Sequence, residues 1–331
     1  MIRMVCAFFL AAGLAHYLTP VLRQAAIRFG IVDRPDGKLK NHRAPVPYLG
    51  GIAIYLSFLL SLALTVEFRR EVLGILLAGA IVVILGLIDD LGALGPSVKL
   101  AGQIVAILTL MKASVTIKLT FLHPALALPL SFLWLLAVTN AFNLIDIMDG
   151  LASSVGLVAS VVLACVAAGS GREEVGTLLA GLGGSLAGFL RYNVEPARIY
   201  LGDTGSLFLG LMLGALAMNN SYTSKNLVAS LSPVVILGVP LFDMLFVMFI
   251  RWRRGIPIMR GSPDHFPLRL RKWRLTTRQT VGASTLASAL LGGVGIVMML
   301  VDARAAIAIL STTAAAALAL GFYLKKIDMT L

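Results

Sequence analysis

Long apolar runs, separated by short polar joints, organise this chain from end to end. A helix that crosses the hydrocarbon core needs about 20 predominantly apolar residues, and fewer where neighbours shield it. On that scale the runs at 2–22, 48–66, 72–88, 98–111, 124–139, 151–168, 176–190, 207–218, 227–250, 281–301 and 305–323 predict membrane spans. The pattern therefore predicts an all-α, polytopic membrane protein of about 11 transmembrane helices, one integral membrane domain over residues 1–331. The first run has only Arg3 as a basic start and stays apolar through Leu18. It reads as an uncleaved first span, with a removed signal peptide as the alternative.

Composition narrows the class. Hydrophobic residues make up 58% of the 331 and charged residues 13%, against about 45–50% and about 25% in soluble domains. Disorder and an ordinary soluble enzyme are excluded. Cys6 and Cys165 both lie in apolar runs and read as small hydrophobes, which leaves no disulfide framework. The charges are lopsided, with 28 Lys and Arg against 16 Asp and Glu, net +12. In a membrane chain such an excess reports topology rather than a nucleic-acid partner. If the loop at 23–47 faces inward and the spans alternate, 20 of the 28 basic residues fall inside, nine of them in 251–280. That split predicts an N-terminus outside and a C-terminus in the cytoplasm. The loops at about 23–47, 89–97, 140–150, 191–206 and 251–280 would then share one cytoplasmic face.

Acidic residues near membrane depth are costly and so informative. Asp89 and Asp90 end the third run, and Asp146 and Asp149 follow the fifth. Asp203 precedes the eighth, within Gly202-Asp-Thr-Gly-Ser206. All five fall on the same predicted face. Asn140, Asn143, Asp146 and Asp149 recur every three residues, so on a helix they form one stripe of oxygens about 5–6 Å apart. The same residues also suit helix caps and turns. Mg²⁺ takes one or two carboxylates plus substrate phosphates, and five Asp with two Asn beside basic loops fit a metal–diphosphate site. The four histidines lack zinc spacing, and no P-loop is present. Lys40 and His42, ahead of Pro47 and Gly50-Gly51, form a basic lip. His265 and Arg269 lie in the least anchor-like part of the basic loop at 251–280.

Taken in order, Lys40-Asn-His42, Asp89-Asp90 with Lys99, Asn140-Ala-Phe-Asn143-Leu-Ile-Asp146-Ile-Met-Asp149, Gly202-Asp203-Thr-Gly-Ser206 and the His265 loop resemble the polyprenyl-phosphate N-acetylhexosamine-1-phosphate transferase family, on its WecA/TagO-like branch. The resemblance covers nearly the whole chain. It implies transfer of a sugar 1-phosphate, such as N-acetylglucosamine 1-phosphate, from a UDP-sugar to undecaprenyl phosphate, with release of UMP. It further implies dependence on Mg²⁺ (or Mn²⁺), a bacterial cytoplasmic membrane location with the site facing the cytoplasm, and compatibility with a homodimer. By the resemblance, Asp203 is a metal ligand helped by Asn143, and Asp149 contacts the nucleoside. Asp89 and Asp90 match an acidic pair near the lipid phosphate, with Asp89 as base or electrostatic positioner. Lys99 matches a phosphate-binding lysine, and Asp146 an acidic position whose loss impairs such enzymes. Asn140, Lys40, His42, His265 and Arg269 complete the expected substrate contacts.

Two departures bear on the sugar. Ile147 stands where relatives have Gly, and the family's histidine cluster is reduced to His265. Transfer of phospho-N-acetylmuramoyl-pentapeptide is the neighbouring alternative, and the reduced histidine loop argues against it. A different class, an ion-coupled secondary transporter, would place its carboxylates near the midplane, where Asp243 within 227–250 is the candidate.

Overall fold

The computed structural model describes residues 1–33, 45–92, 94–119, 121–257, 262–327 and 329. Lys40 and His42 lie outside these. The elements, in chain order, are α1 (Ile2–Arg28), β1 (Val32–Asp33), β2 (Val46–Pro47), α2 (Gly50–Thr65), α3 (Arg70–Asp90), α4 (Pro96–Lys112), α5 (Pro124–Ile145), α6 (Leu151–Gly169) and α7 (Glu173–Asn193). They continue with α8 (Gly202–Met218), a 3₁₀ turn (Val228–Leu231), α9 (Ser232–Ile236), α10 (Gly238–Arg253), α11 (Phe266–Lys272), α12 (Thr277–Leu300) and α13 (Ala303–Lys325). β1 and β2 pair antiparallel, Val32 opposite Pro47; most of the other described residues are helical.

The apolar runs do form helices, and their ends follow local chemistry. Pro96 and Pro124 occupy first-turn positions of α4 and α5, where a missing N–H costs nothing. Thr276 and Gln279 close a reciprocal cap on α12, and Asp302 caps α13 by accepting from the Ala305 N–H.

The number of spans differs from the sequence expectation. Among the described residues six helices, α1, α3, α5, α6, α12 and α13, are long and apolar enough to cross a membrane. A seventh exists if the 3₁₀–α9 segment and α10, bent by 78° at their break, are counted as one. The figure of eleven is thus overturned, and the alternation that set the N-terminus outside and the C-terminus inside no longer follows. The physical reason is that an apolar run need not be a span. α2 and α8, of 16 and 17 residues, fall short of the usual length. α7 is long enough, but Glu173, Glu174, Arg191 and five glycines dilute its apolarity.

α8 is the axis of the bundle: nearly its whole length is buried, with α5 along one side and α3 and α2 along others. α7 is similarly enclosed by α1, α6 and α2. Close approach depends on small residues. A methyl group at Gly86 of α3 would sit 2.5 Å from the Thr204 backbone of α8. That contact brings the last turn of α3, with Asp89 and Asp90, onto the first turn of α8, with Asp203.

Candidate functional site

The expected four-rung stripe is only half helical. Asn140 and Asn143 lie on α5, but the helix ends at Ile145, and Asp146 and Asp149 occupy the turn before α6. Asp favours turns because its side chain competes for backbone donors, and Gly150 follows at φ +76°, a left-handed conformation that ends regular helix. The turn swings Asp149 toward the loop after α7, where its Oδ2 accepts the Ala197 N–H at 2.8 Å. Asp146 sits between the two groups. Burial and the nearby charges of Asp203, Asp90 and Asp149 push its carboxyl well above the usual carboxylate range.

Three helix ends converge on Asp203. Gly202 precedes it at φ +72°, and any side chain there would strike the Asp90 carboxylate. With that space open, Asp90 caps α8 from another helix. Its Oδ1 accepts the Asp203 N–H at 2.7 Å, and its Oδ2 accepts the Thr204 N–H at 3.1 Å and the Thr204 hydroxyl at 2.7 Å. Leu201, the residue in the cap position, offers no side-chain bond of its own. The orphan amides of a helix start are thus satisfied across 113 residues of sequence.

The carboxylate of Asp203 then faces α4 and α5. Its Oδ2 accepts from Lys99 Nζ at 2.7 Å, and its Oδ1 from Asn143 Nδ2 at 2.6 Å. Asn143 Nδ2 also donates to Ser206 Oγ at 2.9 Å, leaving the amide oxygen aimed at Lys99 Nζ, 3.2 Å away. Lys99 completes its contacts with Asp89 Oδ2 at 2.8 Å. One ammonium therefore joins α3, α5 and α8. One turn further along α4, Gln103 and Asn140 exchange amide bonds, Asn140 Nδ2 to Gln103 Oε1 at 2.7 Å and Gln103 Nε2 to Asn140 Oδ1 at 3.4 Å. Lys99–Asn143 and Gln103–Asn140 are two rungs between the same pair of helices, which fixes the face α4 presents.

Aromatic groups border the Asp149 side. The rings of Tyr48 and Tyr200 are 6.1 Å apart, and the Tyr200 N–H bonds the Pro47 carbonyl. Burial together with the Asp149 and Asp33 charges pushes the Tyr200 phenol up to about 12. Burial and a hydrogen bond with Asp33 raise Tyr48 as well. A cavity of about 600 Å³ opens beside Asp149, lined by Ser154, Glu195, Arg278, Val281 and Thr285 among others.

The structure thus brings together Asp89, Asp90, Lys99, Asn143 and Asp203, with Asn140, Asp146 and Asp149 flanking them. His265 and Arg269 bond elsewhere. Asp243 of α10, fully buried, holds His265 Nδ1 at 2.6 Å and the Phe266 N–H at 2.9 Å. Asp264, also buried, accepts from Arg254 Nη1 and Arg269 Nη2, each at 2.9 Å. Arg269 reaches on to the Leu324 carbonyl at 3.2 Å. The carboxylate that a transporter would keep at the midplane is the partner of a histidine. Thr204, Ser206 and Tyr200 lie in or beside the Asp203 motif but carry no assigned role in the sequence reading, and Tyr48 and Gln103 are not singled out there; Gln103 does leave a signal, a lone amide one turn beyond Lys99 in an apolar run.

Comparison with known proteins adds two findings. The family model for glycosyl transferase family 4 matches residues 72–221. The chain is 34% identical over 293 residues to the Bacillus subtilis protein named probable undecaprenyl-phosphate N-acetylglucosaminyl 1-phosphate transferase, covering 85% of this chain and 81% of that one. It is 30% identical over 296 residues to decaprenyl-phosphate N-acetylglucosaminephosphotransferase of Mycobacterium tuberculosis, covering 78% and 72%. It is also 31% identical over 318 residues to phospho-N-acetylmuramoyl-pentapeptide-transferase of Heliobacterium modesticaldum, covering 88% and 97%.

Proposed function

Because this chain belongs to the glycosyl transferase family 4 enzymes that move an N-acetylhexosamine 1-phosphate onto a polyprenyl phosphate, we propose that it transfers N-acetylglucosamine 1-phosphate from its UDP-sugar to undecaprenyl phosphate at the aspartate cluster around Asp203. It is an enzyme and a polytopic membrane protein of a bacterial family. The basic residues concentrated in 251–280 favour a cytoplasmic face for the site, where a UDP-sugar is supplied.

Mg²⁺, with Mn²⁺ as a substitute, is the cofactor this reading implies, and the donor set fits it. Asp203, Asp89 and the Asn143 amide oxygen all face one ammonium, so the spot accepts positive charge. Among the described residues no three His, Cys, Asp or Glu converge as a ready-made cage. Mg²⁺ needs none, since one or two carboxylates suffice when substrate phosphates and waters complete its shell. When bound it neutralises charge on the diphosphate and on the departing phosphate. Asp203 and Asn143 would hold it.

The remaining roles fall to the chain. An oxygen of the lipid phosphate attacks the β-phosphorus of the UDP-sugar, the bond from that phosphorus to the bridging oxygen breaks, and UMP leaves. A phosphate monoester has a second pKa of about 6 and is largely dianionic at neutral pH, so Asp89 serves to orient the lipid phosphate and to take any residual proton. Lys99 binds phosphate oxygens. Asp90 is a positioning residue that fixes the first turn of α8 and hence Asp203. Asp149 and the Tyr200 side receive the nucleoside, and Asp146, Asn140, Lys40 and His42 support the substrates around them, while His265 and Arg269 hold the separate cluster around Asp243 and Asp264.

The single observation that carries this reading is the Asp203–Lys99–Asp89–Asn143 constellation at the meeting of the ends of α3, α4, α5 and α8. The test is UMP release by purified protein given undecaprenyl phosphate, Mg²⁺ and a panel of UDP-sugars. Release is expected with UDP-N-acetylglucosamine and only when the lipid is present. Folded protein that releases no UMP from any sugar contradicts it.

A further inference from the structure

Lys99 does not stand beside the metal-ligand set; it stands on it. Its ammonium contacts Asp203 Oδ2 at 2.7 Å, Asp89 Oδ2 at 2.8 Å and Asn143 Oδ1 at 3.2 Å. These are the hard oxygens that a divalent cation would take. Lys99 and Asp89 are mostly enclosed, with 19% and 15% of their side chains exposed, and Asp203 keeps 34%. The one ammonium bridges both carboxylates and occupies the space between them. A magnesium ion draws its oxygens in to about 2.0–2.1 Å, a space an ammonium cannot share.

We infer that Lys99 is a place-holding cation, which neutralises Asp203 and Asp89 before the metal arrives and is displaced from Asp203 and Asn143 as the metal enters. Displacement leaves Lys99 anchored on one side at most, with its donors turned to the incoming phosphates. Metal entry and phosphate capture thereby become one event, and a divalent cation alone is held weakly because it competes with a resident charge. The Gln103–Asn140 rung below keeps α4 and α5 in register while Lys99 moves. This inference rests on the metal reading above.

The experiment is Mn²⁺ binding, followed by electron paramagnetic resonance on the purified full chain without nucleotide or lipid. Lys99→Met is expected to bind Mn²⁺ about ten-fold or more tightly than the natural protein, and Lys99→Arg no more tightly than it. Equal or weaker binding by Lys99→Met overturns the exchange and leaves the metal reading standing. No Mn²⁺ bound by either protein, even after a UDP-sugar is added, overturns both. A second measurement needs no variant: amine-reactive labelling of Lys99 in the natural protein, read by peptide mass spectrometry. Labelling is expected to rise several-fold when Mg²⁺ is added, and labelling that stays level or falls overturns the inference.

Discussion

Two clusters in this molecule are built from the same residue types and end differently. Around Asp264 and Asp243, each acid is fully buried and each is met by donors: Asp264 by Arg254 and Arg269, Asp243 by His265 and the Phe266 N–H. Around Asp203, the acids Asp89, Asp90 and Asp146 gather with one ion-paired ammonium among the described residues, Lys99, and part of the Asp203 side chain is open. The first cluster is balanced and closed, which is how buried charge is tolerated when it holds structure. The second, among the described residues, holds fewer cations than acids and is accessible, which is how a site looks that awaits a cation and an anionic substrate. The difference teaches that charge type alone does not mark a site; balance and access do.

The comparison can be broken most forcefully at the balanced cluster. Arg269→Met removes the buried donor to Asp264, leaving it the half-exposed Arg254, and removes one donor to the Leu324 carbonyl, and breaking a buried pair costs about 3–5 kcal/mol. Thermal unfolding in detergent should show a large drop in Tm, with turnover per folded molecule little changed. Lost turnover in protein of normal stability would move Arg269 into the working site.

A smaller effect is expected at Asp90. Asp90→Ala removes the cap on α8, worth about 0.5–2 kcal/mol of stability, yet it lets Asp203 drift. The expected signature is a modest loss of Tm beside a larger loss of kcat, with KM for the UDP-sugar nearly unchanged. Equal losses in both would reduce Asp90 to a structural cap.

The smallest effect concerns pH. The folded state raises the Asp146 carboxyl above its unfolded value of about 3.9. Its contribution to stability is therefore fully present below about pH 4 and is lost as pH rises through the folded pKa. Asp146→Asn removes that dependence. The variant's Tm advantage over the natural protein should widen from about pH 4 upward; a constant gap would show that Asp146 ionises without penalty.

Much of this was legible beforehand. The helices stand where apolar runs stand, and Asp89, Asp90, Lys99, Asn143 and Asp203 lie together as their motifs implied. What the chain could not display is what depends on distant partners. The broken 3₁₀–α9–α10 segment reads as one apolar run because hydropathy carries no bend. α2 and α8 read as spans because burial in protein and burial in lipid select the same side chains. The capping of α8 by Asp90 spans 113 residues, and no local pattern encodes it. The stripe from Asn140 to Asp149 kept its spacing but lost its helix at Ile145, where Asp146 and Gly150 favoured a turn.

The central claim is that the under-balanced cluster performs the transfer. Its most direct test is UMP release by Asp203→Asn, set beside the natural protein with folding verified by unchanged thermal unfolding. The account predicts turnover reduced by about a thousand-fold or more, the scale of removing a group that stabilises transition-state charge. Near-normal turnover in folded Asp203→Asn would contradict it.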